Sequence, residues 1–272
     1  MKVVIFCGGQ GLRMREASDL VPKPMVPIGN RPVLWHVMKY YAHFGFTDFV
    51  LCLGYKAEAI KQFFLTYNEA MANDFVLSNG GADVHLLKTD IQNWNITFVD
   101  TGLRAPIGER LRAVRHLLAD DEIFLANYGD TLTDADLPAM IARAQEANAM
   151  ASFLAVRPNY SFHVVSMEED GRVRAMRDVM GSDIWINGGY FVLRREFLDQ
   201  LRPGEDLVEE PLQRLLPSGK VLAQRHEGFW GPMDTLKDKQ WLENLHEEGA
   251  APWQVWDPDR ISAAELELAT AG

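Results

Sequence analysis

Apolar positions along the chain follow two alternating periods. Short runs rich in Val, Ile, Leu and Phe occupy 3–7, 48–53, 95–100 and 122–127, and each reads as a strand. Between them the apolar residues recur every three or four positions, which predicts helices over 32–44, 57–73, 108–118 and 136–148. In the second of these, Ile60, Phe63, Phe64 and Tyr67 fall on one helical face. The first opens with Pro32 in its first turn and stops near Gly45. Strand–helix alternation of this kind predicts an α/β fold, Rossmann-like, with a mostly parallel sheet flanked by helices on both faces. Later segments, 151–156, 163–167, 172–177 and 189–193, are short and strand-like and are separated by turns such as Glu169-Asp170-Gly171. They predict a small mixed β extension over the active site.

Two stretches break the pattern. Residues 71–94 contain the turn-rich Ser78-Asn79-Gly80-Gly81-Ala82-Asp83 and no clean element. After Asp257 the chain lacks aromatic residues, and 257–272 reads as a tail, helical on the surface or frayed. No repeat or linker divides the rest, so 1–256 is expected to form one domain.

Composition narrows the class. Hydrophobic residues make up 47% of 272 positions, enough for a sizeable core. No apolar run approaches the roughly 18 residues that span a membrane, and the N-terminus reads as a strand, which together predict a cytoplasmic protein with no membrane partner. Cys7 and Cys52 lie in strand-like segments and are expected to be reduced core residues. The net charge of −11 argues against nucleic acid as a partner.

Chemistry concentrates near the first strand, which breaks into Gly8-Gly9-Gln10-Gly11-Leu12-Arg13 and is followed by Val21-Pro22-Lys23-Pro24-Met25. Glycines after a strand expose backbone N–H groups that can cradle phosphate oxygens. Arg13 and Lys23 add positive charge, and the prolines flanking Lys23 restrict its backbone. A tight turn alone would account for the glycines. The spacing fits neither the dinucleotide-binding fingerprint nor a Walker A loop. Together the two halves point to a nucleoside triphosphate site.

Two aspartates could hold a metal. Asp130 follows an apolar strand and so stands at the ligand-binding edge of a parallel sheet. Asp234, in Gly231-Pro232-Met233-Asp234-Thr235, could instead be a helix N-cap. As a pair they offer the hard oxygen donors that Mg²⁺ takes beside water and phosphate. Asp134-Ala135-Asp136 has the D-x-D spacing of metal-dependent glycosyltransferases, yet it precedes a helical pattern that an aspartate would cap.

These motifs, with Tyr128-Gly129-Asp130, Asn187-Gly188-Gly189-Tyr190-Phe191, Glu210-Pro211-Leu212 and Gly228-Phe229-Trp230-Gly231-Pro232, resemble those of the sugar-1-phosphate nucleotidyltransferases, within them most closely the glucose-1-phosphate cytidylyltransferases. The resemblance runs over roughly 1–256. It implies a nucleotide-binding part over about 1–150 and an acceptor-binding part over about 151–256. It implies catalytic roles for Lys23, Arg13 and Asp130, and nucleotide contacts from Gly8, Gly9, Gln10, Gly11, Arg13, Lys23, Gly54, Arg110 and Gly129. Arg110 could equally be a helix-surface arginine. It implies Mg²⁺ on Asp130 and Asp234, and acceptor contacts from His163, Arg177, Asn187, Gly188, Gly189 and Glu210. CTP and a sugar 1-phosphate or related phosphorylated polyol are the implied substrates, pyrophosphate the by-product, and a homo-oligomer the implied assembly. In that family the segment matching 71–94 helps form a nucleotide site between subunits, although here it could be a plain surface excursion.

The acceptor half departs from the pattern. Ala175-Met176-Arg177-Asp178-Val179 stands where the family has a phosphate-binding lysine, and His163 where it has glycine. The loop has Leu12 where threonine is usual. Glucose 1-phosphate is therefore expected to be a poor acceptor. A nucleotide-sugar-binding regulatory protein with weak turnover stands as the alternative to an active enzyme, with a glycosyltransferase as a third reading.

Overall fold

The computed structural model describes residues 1–9, 21–159, 162–179 and 181–258. In chain order the first elements are β1 (Val3–Phe6), α1 (Val33–His43), β2 (Asp48–Leu53), α2 (Ala57–Leu65), α3 (Glu69–Ala72), β3 (Phe75–Ser78), β4 (Asp83–Leu86), β5 (Asn95–Asp100), α4 (Ile107–Ala113), β6 (Ile123–Tyr128) and β7 (Thr131–Thr133). They are followed by α5 (Leu137–Glu146), β8 (Ala151–Val156), β9 (His163–Met167), β10 (Val173–Asp178), β11 (Ile186–Arg194), β12 (Val221–His226), β13 (Trp230–Pro232) and α6 (Leu236–Glu247).

Seven strands form the central sheet in the order β12-β8-β11-β6-β1-β2-β5. Neighbours run parallel except that β11 is antiparallel to both β8 and β6. β1, flanked by β6 and β2, is buried on both faces, which is why its sequence is uninterruptedly apolar. One layer of core packs α1 and α6 through Leu34, Met38, Tyr41 and Leu242; the other packs α4 through Leu111 and Val114 with Phe197 and Leu207.

Several expectations are corrected by the packing. Strands 151–156 and 189–193 are not part of an extension. As β8 and β11 they complete the central sheet, and only the β9–β10 hairpin stands apart. Periodicity identifies strands but not their partners. The helix expected over 57–73 ends at Leu65, where the Thr66 hydroxyl bonds back to the Gln62 carbonyl at 2.7 Å. Asn68 then caps α3 by accepting from Ala70 and Met71. The stretch without a clean element contains a two-stranded hairpin, β3–β4, whose Phe75, Val76, Leu77 and Val84 are exposed. Of the expected C-terminal tail, positions 259–272 lie outside the described residues.

The segment after α6 is tied to α1. Trp253, fully buried, donates its indole N–H to His36 Nδ1 at 3.3 Å, and the His36 Nε2–H reaches the Ile28 carbonyl at 3.2 Å. Burial lowers the His36 pKa to about 3, so the imidazole stays neutral. Cys7 and Cys52 are both free and buried, as expected. Among the described residues no helix is long and apolar enough to cross a membrane.

Candidate active site

Parallel strands direct their carboxyl ends to one edge of the sheet, and the chemistry collects there. Gly8 and Gly9 follow β1, and Asp130 sits in the turn between β6 and β7. Lys23 begins a single 3₁₀ turn, Lys23–Met25, closed by the Met25 N–H on the Pro22 carbonyl at 2.7 Å. Pro22 and Pro24 leave that turn little freedom.

Asp234 is brought to the same point by a ribbon. β13 pairs antiparallel with β7, Trp230 opposite Thr133 and Pro232 opposite Thr131, and the Met233 N–H then reaches the Asp130 carbonyl at 2.9 Å. The far end is fastened by Asp134, whose Oδ1 accepts from the Phe229 N–H at 2.8 Å and lies 2.9 Å from His226 Nε2. Asp136 caps α5 by accepting from Ala139. Both members of the D-x-D spacing therefore have structural tasks.

Lys23 Nζ pairs with Asp130 and lies 2.5 Å from Asp234 Oδ1, with the lysine side chain only 13% exposed. Burial alone would lower the Lys23 pKa, but the charges and hydrogen bonds of Asp130 and Asp234 outweigh it and the net shift is upward. The N-cap of α6 is Thr235, in a capping box with Asp238, so Asp234 is free of that task and its carboxylate faces the lysine. Two carboxylates converging on one cationic point form a donor set of hard oxygens that suits a divalent ion. No group of three or more potential metal ligands occurs among the described residues, so water and substrate phosphate would complete the shell.

This triad forms one wall of a cavity of about 690 Å³. Gly8, Gly9 and Arg110 line it on one side, Asn187 and Gly188 on the other. Gln10, Gly11 and Arg13 lie outside the described residues.

Arg110 is neither a surface arginine nor an open phosphate ligand. It is 4% exposed, and its guanidinium donates to the Leu53 carbonyl at 3.0 Å, the Thr101 hydroxyl at 2.8 Å and the Gly8 carbonyl at 3.1 Å. It locks the end of β1, through Gly8, to the end of β2. A Cβ at Gly8 would overlap that guanidinium, which is the physical need for glycine there. Gly54 backs the same cluster, and Gly129 packs on the Phe6 carbonyl and Cys7, so both support the floor without lining the cavity.

On the acceptor side the structure separates the expected residues. Asn187 Nδ2 donates to the Tyr128 hydroxyl at 3.3 Å and Gly188 faces the cavity, while Gly189, at φ +80°, packs on the Tyr128 ring. His163 and Arg177 lie on the β9–β10 hairpin, exposed, and neither lines the cavity. The imidazole therefore does not fill sugar space in this conformation, because its strand is paired only within a hairpin held off the central sheet. Glu210 is also exposed; its carboxylate accepts the Asp206 N–H at 2.9 Å. Asp206 itself lines the cavity.

Sequence reasoning did not single out Tyr128, Asp206 or Trp230 as site residues, yet all three line the cavity. Trp230 is held by its indole N–H on the Gly188 carbonyl at 2.9 Å, and burial pushes the Tyr128 phenol up to about 12. The aromatic pair stood in quoted motifs but carried no signal separating lining from core, and Asp206 sits in a loop without any motif.

The nucleotidyl transferase family matches residues 2–235. The chain is 40% identical over 260 residues to a glucose-1-phosphate cytidylyltransferase of Salmonella typhi, covering 94% of this chain and all of that protein. It is 26% identical over 215 residues to the D-glycero-alpha-D-manno-heptose 1-phosphate guanylyltransferase of Campylobacter jejuni, covering 78% of this chain and 85% of that one. The fold is shared with a UDP-glucose pyrophosphorylase solved with UDP-glucose, at a TM-score of 0.67 and 14% identity over 91% of this chain and 98% of that chain. Motif, fold and site thus converge: the chain belongs to the nucleotidyl transferase family and is a sugar-1-phosphate nucleotidyltransferase of cytidylyltransferase-like type.

Proposed function

We propose that the chain transfers a cytidylyl group from CTP to a hexose 1-phosphate. The observation that carries the reading is the Lys23 ammonium held between Asp130 and Asp234 in the wall of a cavity large enough for both substrates. CTP as donor rests on the likeness to the 40% identical Salmonella typhi protein, a glucose-1-phosphate cytidylyltransferase. The same activity makes glucose 1-phosphate the first acceptor to test, and the reason to doubt it weakens because His163 and Arg177 stand outside the cavity.

A nonbridging oxygen of the sugar phosphate attacks the α-phosphorus in line. The bond from that phosphorus to the bridging oxygen breaks, and pyrophosphate leaves with the electron pair. No covalent protein intermediate is required, so the protein contributes position and charge. Asp130 and Asp234 would hold Mg²⁺, which when bound supplies Lewis-acid neutralisation of phosphate oxygens. Lys23, released from its carboxylates, turns to the α-phosphate and the incoming phosphate. The glycine loop offers N–H groups to the triphosphate, and Arg110 keeps that loop in place. Asn187 and the Tyr128 hydroxyl present neutral hydrogen-bonding groups to the acceptor.

The exposed apolar side chains of the β3–β4 hairpin support association between copies, which light scattering would check. The reaction itself is tested by pyrophosphate release with four nucleoside triphosphates against a panel of sugar 1-phosphates. CTP with a hexose 1-phosphate should be fastest, and Lys23→Ala should lower turnover roughly 10²–10³-fold while the protein stays folded. Wild-type rates in that variant would remove Lys23 from the mechanism.

A further inference from the structure

The sheet face that carries Asn187 continues past the cavity. Strand register sets Asn187 beside Ala155 and Ala155 beside Arg225, so the three form one row on one face. Two strand spacings place Arg225 about 9–10 Å from Asn187 along that row. The small side chain of Ala155 keeps the row low between them. Val156 is paired with Ile186 on the opposite face, and Arg157 and Trp185 are the next residues out, just past the ends of β8 and β11.

At this place Trp185 gathers two guanidinium groups. Arg157 lies 4.6 Å and Arg225 5.1 Å from its ring centroid. Arg157 also donates to the Ser182 carbonyl. Among the described residues neither arginine has a carboxylate within ion-pair distance, although the chain as a whole carries a net charge of −11. Two unneutralised forks on a shared aromatic support, at the ligand-binding edge and on the acceptor side, have the chemistry of a phosphate subsite.

We propose that Arg157 and Arg225, supported by Trp185, bind a second phosphate at the far end of the acceptor. The preferred acceptor is then a sugar 1-phosphate that bears another phosphate away from the reacting one. This rests on the nucleotidyl-transfer reading above, because the first phosphate must lie at Lys23 for the second to reach the arginines. Arg157 and Arg225 touch no reacting atom; they determine specificity. The groups that hold the first phosphate and the nucleotide line the cavity, whereas Arg157, Trp185 and Arg225 lie beyond its rim, next to the lining residues Ile186 and Asn187, so the two ends of the acceptor can be probed separately.

The test compares glucose 1,6-bisphosphate with glucose 1-phosphate on the full-length protein. One arm measures kcat/KM with CTP and Mg²⁺. The other measures binding by calorimetry with the α,β-methylene analogue of CTP present, which needs no turnover. The wild-type protein should favour the bisphosphate by about tenfold or more in both arms, the scale of a charge-assisted phosphate contact. Arg225→Gln, at an exposed position, should cut that ratio at least threefold, and Arg157→Gln combined with it should bring the ratio towards one. Equal binding of the two sugars by the wild-type protein overturns the proposal, as does a preference that survives the double substitution. If no sugar phosphate is turned over with any nucleoside triphosphate but the calorimetric ratio behaves as stated, the transfer reading fails and the subsite stands.

Discussion

The Lys23 end of the cavity and the β9–β10 hairpin both carry charged residues that the sequence motifs drew attention to, yet they are built differently. Lys23, Asp130 and Asp234 emerge from strand ends, a proline-bound turn and a paired ribbon, and they meet one another with little exposure. His163 and Arg177 sit on two strands paired only with each other, with their side chains exposed. A group that must meet a developing charge without reorganising has to be held before the substrate arrives. The backbone carrying Lys23, Asp130 and Asp234 is held in that way, so that only the Lys23 side chain has to turn, whereas the hairpin is held by nothing but its own pairing.

The contrast can be broken at its strongest point first. Asp234→Asn keeps the size of the side chain but removes one of the two charges facing Lys23, so turnover should fall by roughly 10³-fold or more and recover only in part with excess Mg²⁺. Full activity in that variant, measured by pyrophosphate release, would mean that the ribbon places Asp234 for structural reasons alone. The support beneath the site comes next. Arg110→Gln orphans buried carbonyls of Gly8 and Leu53, which should cost about 1–3 kcal/mol of stability in denaturant titration. A loosened glycine loop should also lower turnover roughly 10–100-fold. Unchanged kinetics alongside the stability loss would separate loop position from catalysis. The smallest effect belongs to the hairpin: His163→Gly and Arg177→Lys, compared by kcat/KM for glucose 1-phosphate, should each stay within about twofold of the parent, as exposed substitutions usually do. A large change in either would show that the hairpin closes over the acceptor during the reaction.

The difference also explains what could be read from the chain. Strands 48–53, 95–100, 151–156 and 163–167 coincide with the observed elements because a polar or turn residue, Gly54, Thr101, Arg157 or Glu168, follows each and ends its run. Which sheet a strand joins depends on partners far along the chain, and periodicity is silent about them; hence β8 and β11 were expected in the wrong layer. The Lys23–Asp130–Asp234 cluster was legible because its residues lie beside glycines and prolines that fix the backbone. The task of Arg110 was not, since a buried guanidinium and a surface one occupy the same helical position in sequence. Asp206 and Trp230 line the cavity through contacts with loops and a carbonyl that local sequence does not encode.

The reversed strand β11 has a consequence for how such a protein can diversify. Because it runs against β8, the chain leaves the sheet after Val156 and re-enters at Ile186 on the same edge, and these two residues are partners in register. Everything from 157 to 185 is therefore a detachable excursion whose ends are already neighbours. Doubling the length of such a loop costs only about 0.6 kcal/mol in closure entropy, so its contents can be lengthened, shortened or exchanged while the seven strands keep their order. Evolution can revise this cassette without reopening the core, and only its two ends, Arg157 and Trp185, stay tied to the sheet by their contacts with each other and with Arg225.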